Sequence, residues 1–221
     1  MESQLPKHIS KRIEQCAVVA VLVVDDARHA VPLARALLGG GVDVMELTLR
    51  TPAALEALRR VRDEVPEMLT GIGTVLTPQQ VEQIAALNAA FAVAPGTNRR
   101  VINAARECGL PFMPGVATPT DIETALELGC CDLKFFPAEA CGGLAYLRNM
   151  AAPYAHLGVR FVPLGGLTVK NLKDYLSEPC VMAVGGSWLA PRQLIQAEAW
   201  EQIRTNARDA RTAADAVRTA K

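Results

Sequence analysis

The most constraining feature of this chain is a unit that recurs along its length: a short apolar run, a segment of helical period, then a glycine stop. The first run, Cys16-Ala17-Val18-Val19-Ala20-Val21-Leu22-Val23-Val24, is apolar throughout, as strands buried on both faces of a parallel sheet are. Asp25 and Asp26 can cap the helix that follows, in which Ala30, Leu33, Ala34, Leu37 and Leu38 recur with helical period before Gly39-Gly40-Gly41 ends it. Further strands are expected at 42–49, 69–75, 91–94, 112–115, 133–136, 159–164 and 181–184. Helical segments follow them at 52–64, 77–87, 98–108, 118–128, 143–151, 168–176 and 197–219, and a short amphipathic helix over 3–14 precedes the series. Eight strands alternating with helices predict an α/β protein, a parallel (β/α)8 TIM barrel with a short N-terminal helix, forming one domain over 1–221. A doubly wound open sheet also alternates, but no G-x-G-x-x-G follows the first strand.

Half of the residues are hydrophobic, enough for a large core, and 23 basic residues balance 23 acidic ones. No bulk field therefore exists to hold nucleic acid or an anionic membrane. The run 16–24 is too short to span a bilayer, and no cleavage site follows it, so it is not expected to be a signal peptide. Six cysteines lack C-x-x-C or zinc spacing and are expected as buried thiols in a reducing cytoplasm. His8, His29 and His156 lie away from the strand ends and are expected at the surface, so no metal site is predicted and no cofactor is called for.

Only six basic residues are lysines, and Lys134 alone sits among large apolar neighbours, in Asp132-Leu133-Lys134-Phe135-Phe136-Pro137. Strand alternation puts Asp132, Lys134 and Phe136 on one face and Leu133 and Phe135 on the other. Burying an ammonium is costly unless it is paired or sheds its proton, and a neutral amine is the form that attacks a carbonyl to make a Schiff base. Taken alone, Lys134 could equally snorkel to solvent or pair with Asp132. On the second strand, Val44, Glu46, Thr48 and Arg50 share the inward face. A carboxylate there needs a partner such as Lys134, or a proton to move. Arg50, up to about 13 Å further along an extended strand, suits a charged end of a substrate, unless it is an ordinary loop arginine in a surface ion pair. Gly71 and Gly73 flank Ile72 and open space beside the third strand, where Thr74 could donate to a carboxylate. Pro95-Gly96 and Met113-Pro114-Gly115 end their strands abruptly. Gly165-Gly166 and Gly185-Gly186-Ser187 follow the last two strands, where barrels often bind phosphate through backbone N–H groups.

Taken together, these segments resemble the 2-dehydro-3-deoxy-phosphogluconate (KDPG) aldolase family, also called KHG/KDPG aldolases. The resemblance runs through Glu46-Leu47-Thr48-Leu49-Arg50-Thr51, Gly71-Ile72-Gly73-Thr74-Val75, Ala94-Pro95-Gly96, Met113-Pro114-Gly115, Leu133-Lys134-Phe135-Phe136-Pro137-Ala138-Glu139, Gly165-Gly166 and Gly185-Gly186-Ser187-Trp188. It implies a class I aldolase of the Entner–Doudoroff type that cleaves 2-keto-3-deoxy-6-phosphogluconate, and 4-hydroxy-2-oxoglutarate as well. It implies that Lys134 forms the imine with pyruvate and that Glu46 shuttles protons. By the same resemblance Arg50 and Thr74 bind the pyruvate carboxylate, Pro95 and Phe136 line the pocket, and Gly165, Gly166, Gly186 and Ser187 hold the phosphate. A homotrimer is implied too. One residue departs from the family pattern: Leu164 stands where threonine is common. Two other readings fit the residues alone, a phosphosugar epimerase or isomerase on the same barrel and a binding-only barrel without turnover.

Overall fold

Strand and helix alternate through a computed structural model of the chain, which describes residues 4–218. Helix α1 (Lys7–Cys16) leads to β1 (Val18–Leu22), α2 (Ala30–Gly39), β2 (Val44–Thr48), α3 (Ala54–Glu64), β3 (Leu69–Gly73) and α4 (Pro78–Ala86). Then come β4 (Phe91–Val93), α5 (Arg99–Glu107), β5 (Phe112–Met113), β6 (Gly115–Val116), α6 (Pro119–Glu127) and β7 (Asp132–Phe135). The chain finishes with α7 (Gly143–Ala151), β8 (Arg160–Pro163), α8 (Leu172–Leu176), β9 (Val184–Gly186), α9 (Arg192–Gln196) and α10 (Trp200–Arg218).

Two helices, α4 and α6, start at capping boxes that the sequence supplies. Thr77 and Thr118 each accept a hydrogen bond from the backbone three residues on and have it returned by Gln80 and Asp121, with Pro78 and Pro119 opening the first turn. All strand pairs are parallel, in a six-stranded sheet ordered β5-β4-β3-β2-β1-β9 and a three-stranded sheet ordered β6-β7-β8. Every residue of β2, β3 and β7 is buried, as expected when helices cover a sheet whose other face is also closed. α10 turns Ile203, Ala207, Ala210 and Ala214 inward and packs on α2. Among the described residues, no helix is long and apolar enough to cross a membrane.

Several boundaries differ from expectation. Cys16 ends α1 rather than opening a strand, because Ala17 takes a left-handed cap conformation (φ 63°). The last strand is Val184–Gly186, not 181–184. Pairing with β1 in the register Val18↔Val184, Val19↔Gly185 and Ala20↔Gly186 draws the glycines into the sheet, so Gly185 and Gly186 belong to the strand and not to the turn after it. Thr168 does not cap a helix: its N–H donates to Asn171 Oδ1 at 2.8 Å in a turn, and α8 begins only at Leu172. The expected final helix is α10, beginning at Trp200, and α9 precedes it where no helix was expected; residues 3 and 219 of the expected terminal helices lie outside the described residues. His29 is buried, not at the surface, because its Nε2 meets Glu198 at 3.2 Å and its ring lies edge-on to Trp200. Cys108 is exposed, unlike Cys16, Cys130 and Cys131.

Candidate active site

Beyond the carboxyl ends of the strands lies a cavity of about 720 Å³. Lys134 lies within it, on β7, only 8% exposed and paired with the 3%-exposed Glu46 side chain of β2. Its Nζ donates to both carboxylate oxygens, at 3.2 and 3.3 Å. The inward parity expected for β2 and β7 therefore holds, and Lys134 does not pair with Asp132. Asp132 instead takes Arg160, at 2.8 Å from Nε. Lys134 Nζ also sits 5.6 Å from the centre of the Phe136 ring, within range of a favourable cation–π contact.

Room for the carboxylate comes from missing side chains on β3. A Cβ at Gly73 would stand 2.4 Å from Glu46 Oε1, and one at Gly71 would strike the Phe91 ring at 2.2 Å. Both distances are far inside van der Waals contact, so Gly73 leaves room for the carboxylate and Gly71 for the Phe91 ring packed beneath it.

Around Lys134 the cavity is lined by Thr48, Arg50, Thr74, Pro95, Phe136, Leu164, Gly165, Gly166, Gly186 and Ser187, among others. The structure thus brings together the residues expected from sequence, with Glu46 standing behind Lys134 rather than on the cavity wall. Arg50 is exposed and makes no ion pair among the described residues, which leaves its guanidinium available to an anion. Gly165 and Gly166 have φ of 98° and 86°, a left-handed backbone that only glycine takes without strain. The turn they form is tied to the lysine strand's own loop: the Ala138 N–H donates to Leu164 O at 2.7 Å and the Glu139 N–H to Gly165 O at 3.0 Å. Glu139 in turn accepts from the Tyr175 hydroxyl at 2.5 Å. Burial, with that carboxylate alongside, pushes the Tyr175 hydroxyl well above the usual tyrosine range.

Gly185 does not line the cavity. The Leu164 side chain fills the place its Cβ would take, at 2.9 Å, so this glycine serves packing. Leu164 itself presents an apolar wall to the cavity. Sequence reasoning did not find Arg192, Gln193 or Gln80, which also line it; the one available signal was Arg192's position directly after Pro191, where a helix could start beyond the last strand. The lining carries three basic side chains, Arg50, Lys134 and Arg192, and no carboxylate, so the cavity suits an anionic ligand. Among the described residues, no group of three or more His, Cys, Asp or Glu could hold a metal ion.

Parallel strands flanked by helices, with polar groups converging beyond the strand ends, define an α/β enzyme scaffold. More narrowly, the chain belongs to the KDPG and KHG aldolase family, whose model matches residues 9–206. It is 45% identical over 195 residues to the 2-dehydro-3-deoxy-phosphogluconate aldolase of Treponema pallidum (strain Nichols), covering 88% of this chain and 92% of that one. It is 43% identical over 193 residues to the enzyme of that name from Dickeya dadantii (strain 3937), covering 87% and 90%. Among solved structures, KDPG aldolase from Legionella pneumophila, with pyruvate captured as a covalent carbinolamine intermediate, superposes with a TM-score of 0.86 at 37% identity, covering 90% of this chain and 96% of that one.

Proposed function

We propose that this protein is a Schiff-base aldolase. It cleaves 2-keto-3-deoxy-6-phosphogluconate reversibly to pyruvate and glyceraldehyde 3-phosphate, and acts on 4-hydroxy-2-oxoglutarate to give pyruvate and glyoxylate. The observation that carries the reading is the buried Lys134–Glu46 pair at the wall of a cavity lined by cationic, neutral polar and apolar groups and by no carboxylate. The covalent carbinolamine of the Legionella relative supports it.

The residues fit the chemistry step by step. Lys134 Nζ, in its neutral form, attacks the keto carbon of the substrate; loss of water from the carbinolamine leaves a protonated imine. That imine is an electron sink. Glu46 takes the proton of the hydroxyl two carbons away, the carbon–carbon bond breaks, its electron pair forms an enamine, and the aldehyde leaves. The same carboxyl then returns a proton to the enamine carbon, and water releases pyruvate from Lys134. Arg50 and Thr74 hold the carboxylate beside the imine, while Pro95 and Phe136 shield it. Gly165, Gly166, Gly186 and Ser187 receive the phosphate.

The two sheets are read as one closed (β/α)8 barrel forming a single domain. β5 and β6 are a single run broken at Pro114, and isolated parallel bridges, Phe161 to Val181 and Leu164 to Gly185, join the β8 and β9 segments. In such a barrel active sites occupy this end of the strands. The six unpaired thiols support a reducing compartment, the cytoplasm. The family resemblance supports a homotrimer, for which light scattering should give three times the chain mass.

Borohydride reduction in the presence of pyruvate tests the central claim. One pyruvate-derived mass should appear on the peptide carrying Lys134; an adduct on Lys170 or Lys173, or none, would sink it. An epimerase or a binding-only protein would give no adduct.

A further inference from the structure

Arg192 opens α9, just beyond Gly186 and Ser187, and it lines the same cavity as Lys134 and Gly165. Its guanidinium is held from behind. Asp25, three residues past β1, accepts from Nε at 2.8 Å and from Nη2, and Gln196 donates to the same carboxylate at 2.7 Å. Arg192 beside it holds the Asp25 carboxyl below the usual carboxylate range. With the arginine side chain 54% exposed, such a pair contributes little to stability. What it fixes is direction. A guanidinium has five N–H donors, and with two of them on Asp25 the others remain for a ligand.

The placement of charge gives the contact a purpose. Lys134 and Glu46 enclose each other almost fully, whereas Arg50, beyond β2, makes no ion pair among the described residues and Arg192, beyond β9, is half exposed and keeps donors beyond the two it gives to Asp25. Both strands neighbour β1, which sets them about 10 Å apart at the usual strand spacing. Two cations carried beyond separate strands of one cavity suit a substrate that is anionic at both ends. Arg50 then serves the end beside the imine, and Arg192 the end beside the glycine turns.

We propose that Arg192 is a specificity-determining residue that reads the distal anionic group of the substrate, with Asp25 and Gln196 as positioning residues that hold its guanidinium over the glycine turns. The assignment rests on the aldolase reading and adds a side-chain charge to an anion site otherwise made of backbone N–H groups and a serine hydroxyl. Arginine suits this task because its planar fork can meet two phosphate oxygens at once.

The test is the ratio of kcat/KM for the phosphorylated substrate to that for its unphosphorylated counterpart. Arg192→Ala should lower this ratio by about 10- to 100-fold, the usual worth of hydrogen bonds to a charged group, and Arg192→Lys should recover part of it by keeping the charge without the fork. Asp25→Asn should lower the ratio severalfold, mostly through KM. A rise with Asp25→Asn would mean that the carboxylate merely competes for the guanidinium, which would overturn its positioning role. An Arg192→Ala enzyme with an unchanged ratio, or one that loses both substrates equally, overturns the assignment. Pyruvate trapping, which involves no phosphate, keeps the two readings apart. A wild-type protein without an adduct sinks the aldolase reading, whereas an intact adduct with an unchanged ratio sinks only the role of Arg192.

Discussion

Asp132 and Lys134 leave the same face of β7 two residues apart, and each is buried in an ion pair, but the two pairs are built differently. Asp132 meets Arg160 on the adjacent strand, directly opposite in register. Arg160 is a third exposed and also reaches Glu14 at 3.3 Å. Lys134 meets Glu46 across 88 positions of sequence and from the other sheet, and both partners are almost fully enclosed. An arginine cannot give up its proton in a protein, whereas a lysine can. The lower pair can therefore only tie strand to strand. The upper pair, next to the cavity, can exchange a proton and leave a nucleophile behind.

Substitutions on this one strand and its partners should separate the two ends. The largest effect is expected from Lys134→Met, which removes the nucleophile: kcat/KM for aldol cleavage should fall by roughly 10³-fold or more, with complete loss of the pyruvate adduct. Glu46→Gln comes next. It should keep slow trapping while kcat drops about 10²–10⁴-fold, the usual worth of a general acid–base. Exchange of the pyruvate methyl protons with deuterated water measures the same step, and an unaffected exchange rate would remove Glu46 from proton transfer.

At the other end, Asp132→Asn should leave the adduct intact and cost stability instead. About 1–3 kcal/mol in urea unfolding is expected, less than for a fully buried pair because Arg160 keeps Glu14 and solvent. A lost adduct would mean that the two ends are not independent.

A smaller effect is expected at Leu164, the apolar wall of the cavity. With no donor there, epimers at the hydroxyl next to the cleaved bond should be poorly told apart. Leu164→Thr should sharpen that preference, by up to about tenfold, without altering imine formation. An unchanged epimer ratio would show that the side chain serves only to pack on Gly185.

The smallest effect belongs to Cys130, two residues below Asp132, where burial, with Cys131 second, pushes the thiol up to about 12. An unfolded thiol titrates near 8.5. Above that pH the folded chain keeps a proton that the unfolded chain loses, so the stabilisation is complete below about 8.5 and falls as pH rises toward 12. By pH 9.5 this thiol should account for about 1 kcal/mol of lost stability. Urea midpoints between pH 8 and 10 should decline less steeply in Cys130→Val than in the wild type; equal slopes would show that the thiol is not shielded.

Much of this was legible in the chain itself, and the failures have physical causes. The pairing of Lys134 with Glu46 followed from parity, because strands alternate faces and an inward charge must find its opposite. The last strand was misplaced because 181–184 is apolar and 184–186 is mostly glycine. Hydropathy tracks burial, and Met182 and Ala183 are indeed buried, but backbone pairing with β1 decides which residues form the strand. Arg192 was missed for another reason. It follows a strand end with no periodicity of its own, and its role depends on Asp25, 167 positions away. His29 misled in the same way, since Glu198 and Trp200, which enclose it, come from the far end of the chain.

Gly73 bears on how such a protein could change its trade. The carboxylate of Glu46 rests in the space that this residue leaves empty, 2.4 Å from where a methyl group would begin. A single step to alanine would displace the acid and leave the lysine in place. The descendant could still capture a keto acid but would have lost its means of moving the proton, making it a trap or a starting point for other imine chemistry. The neighbourhood of this activity in sequence space is thus bounded by an atom that is not there.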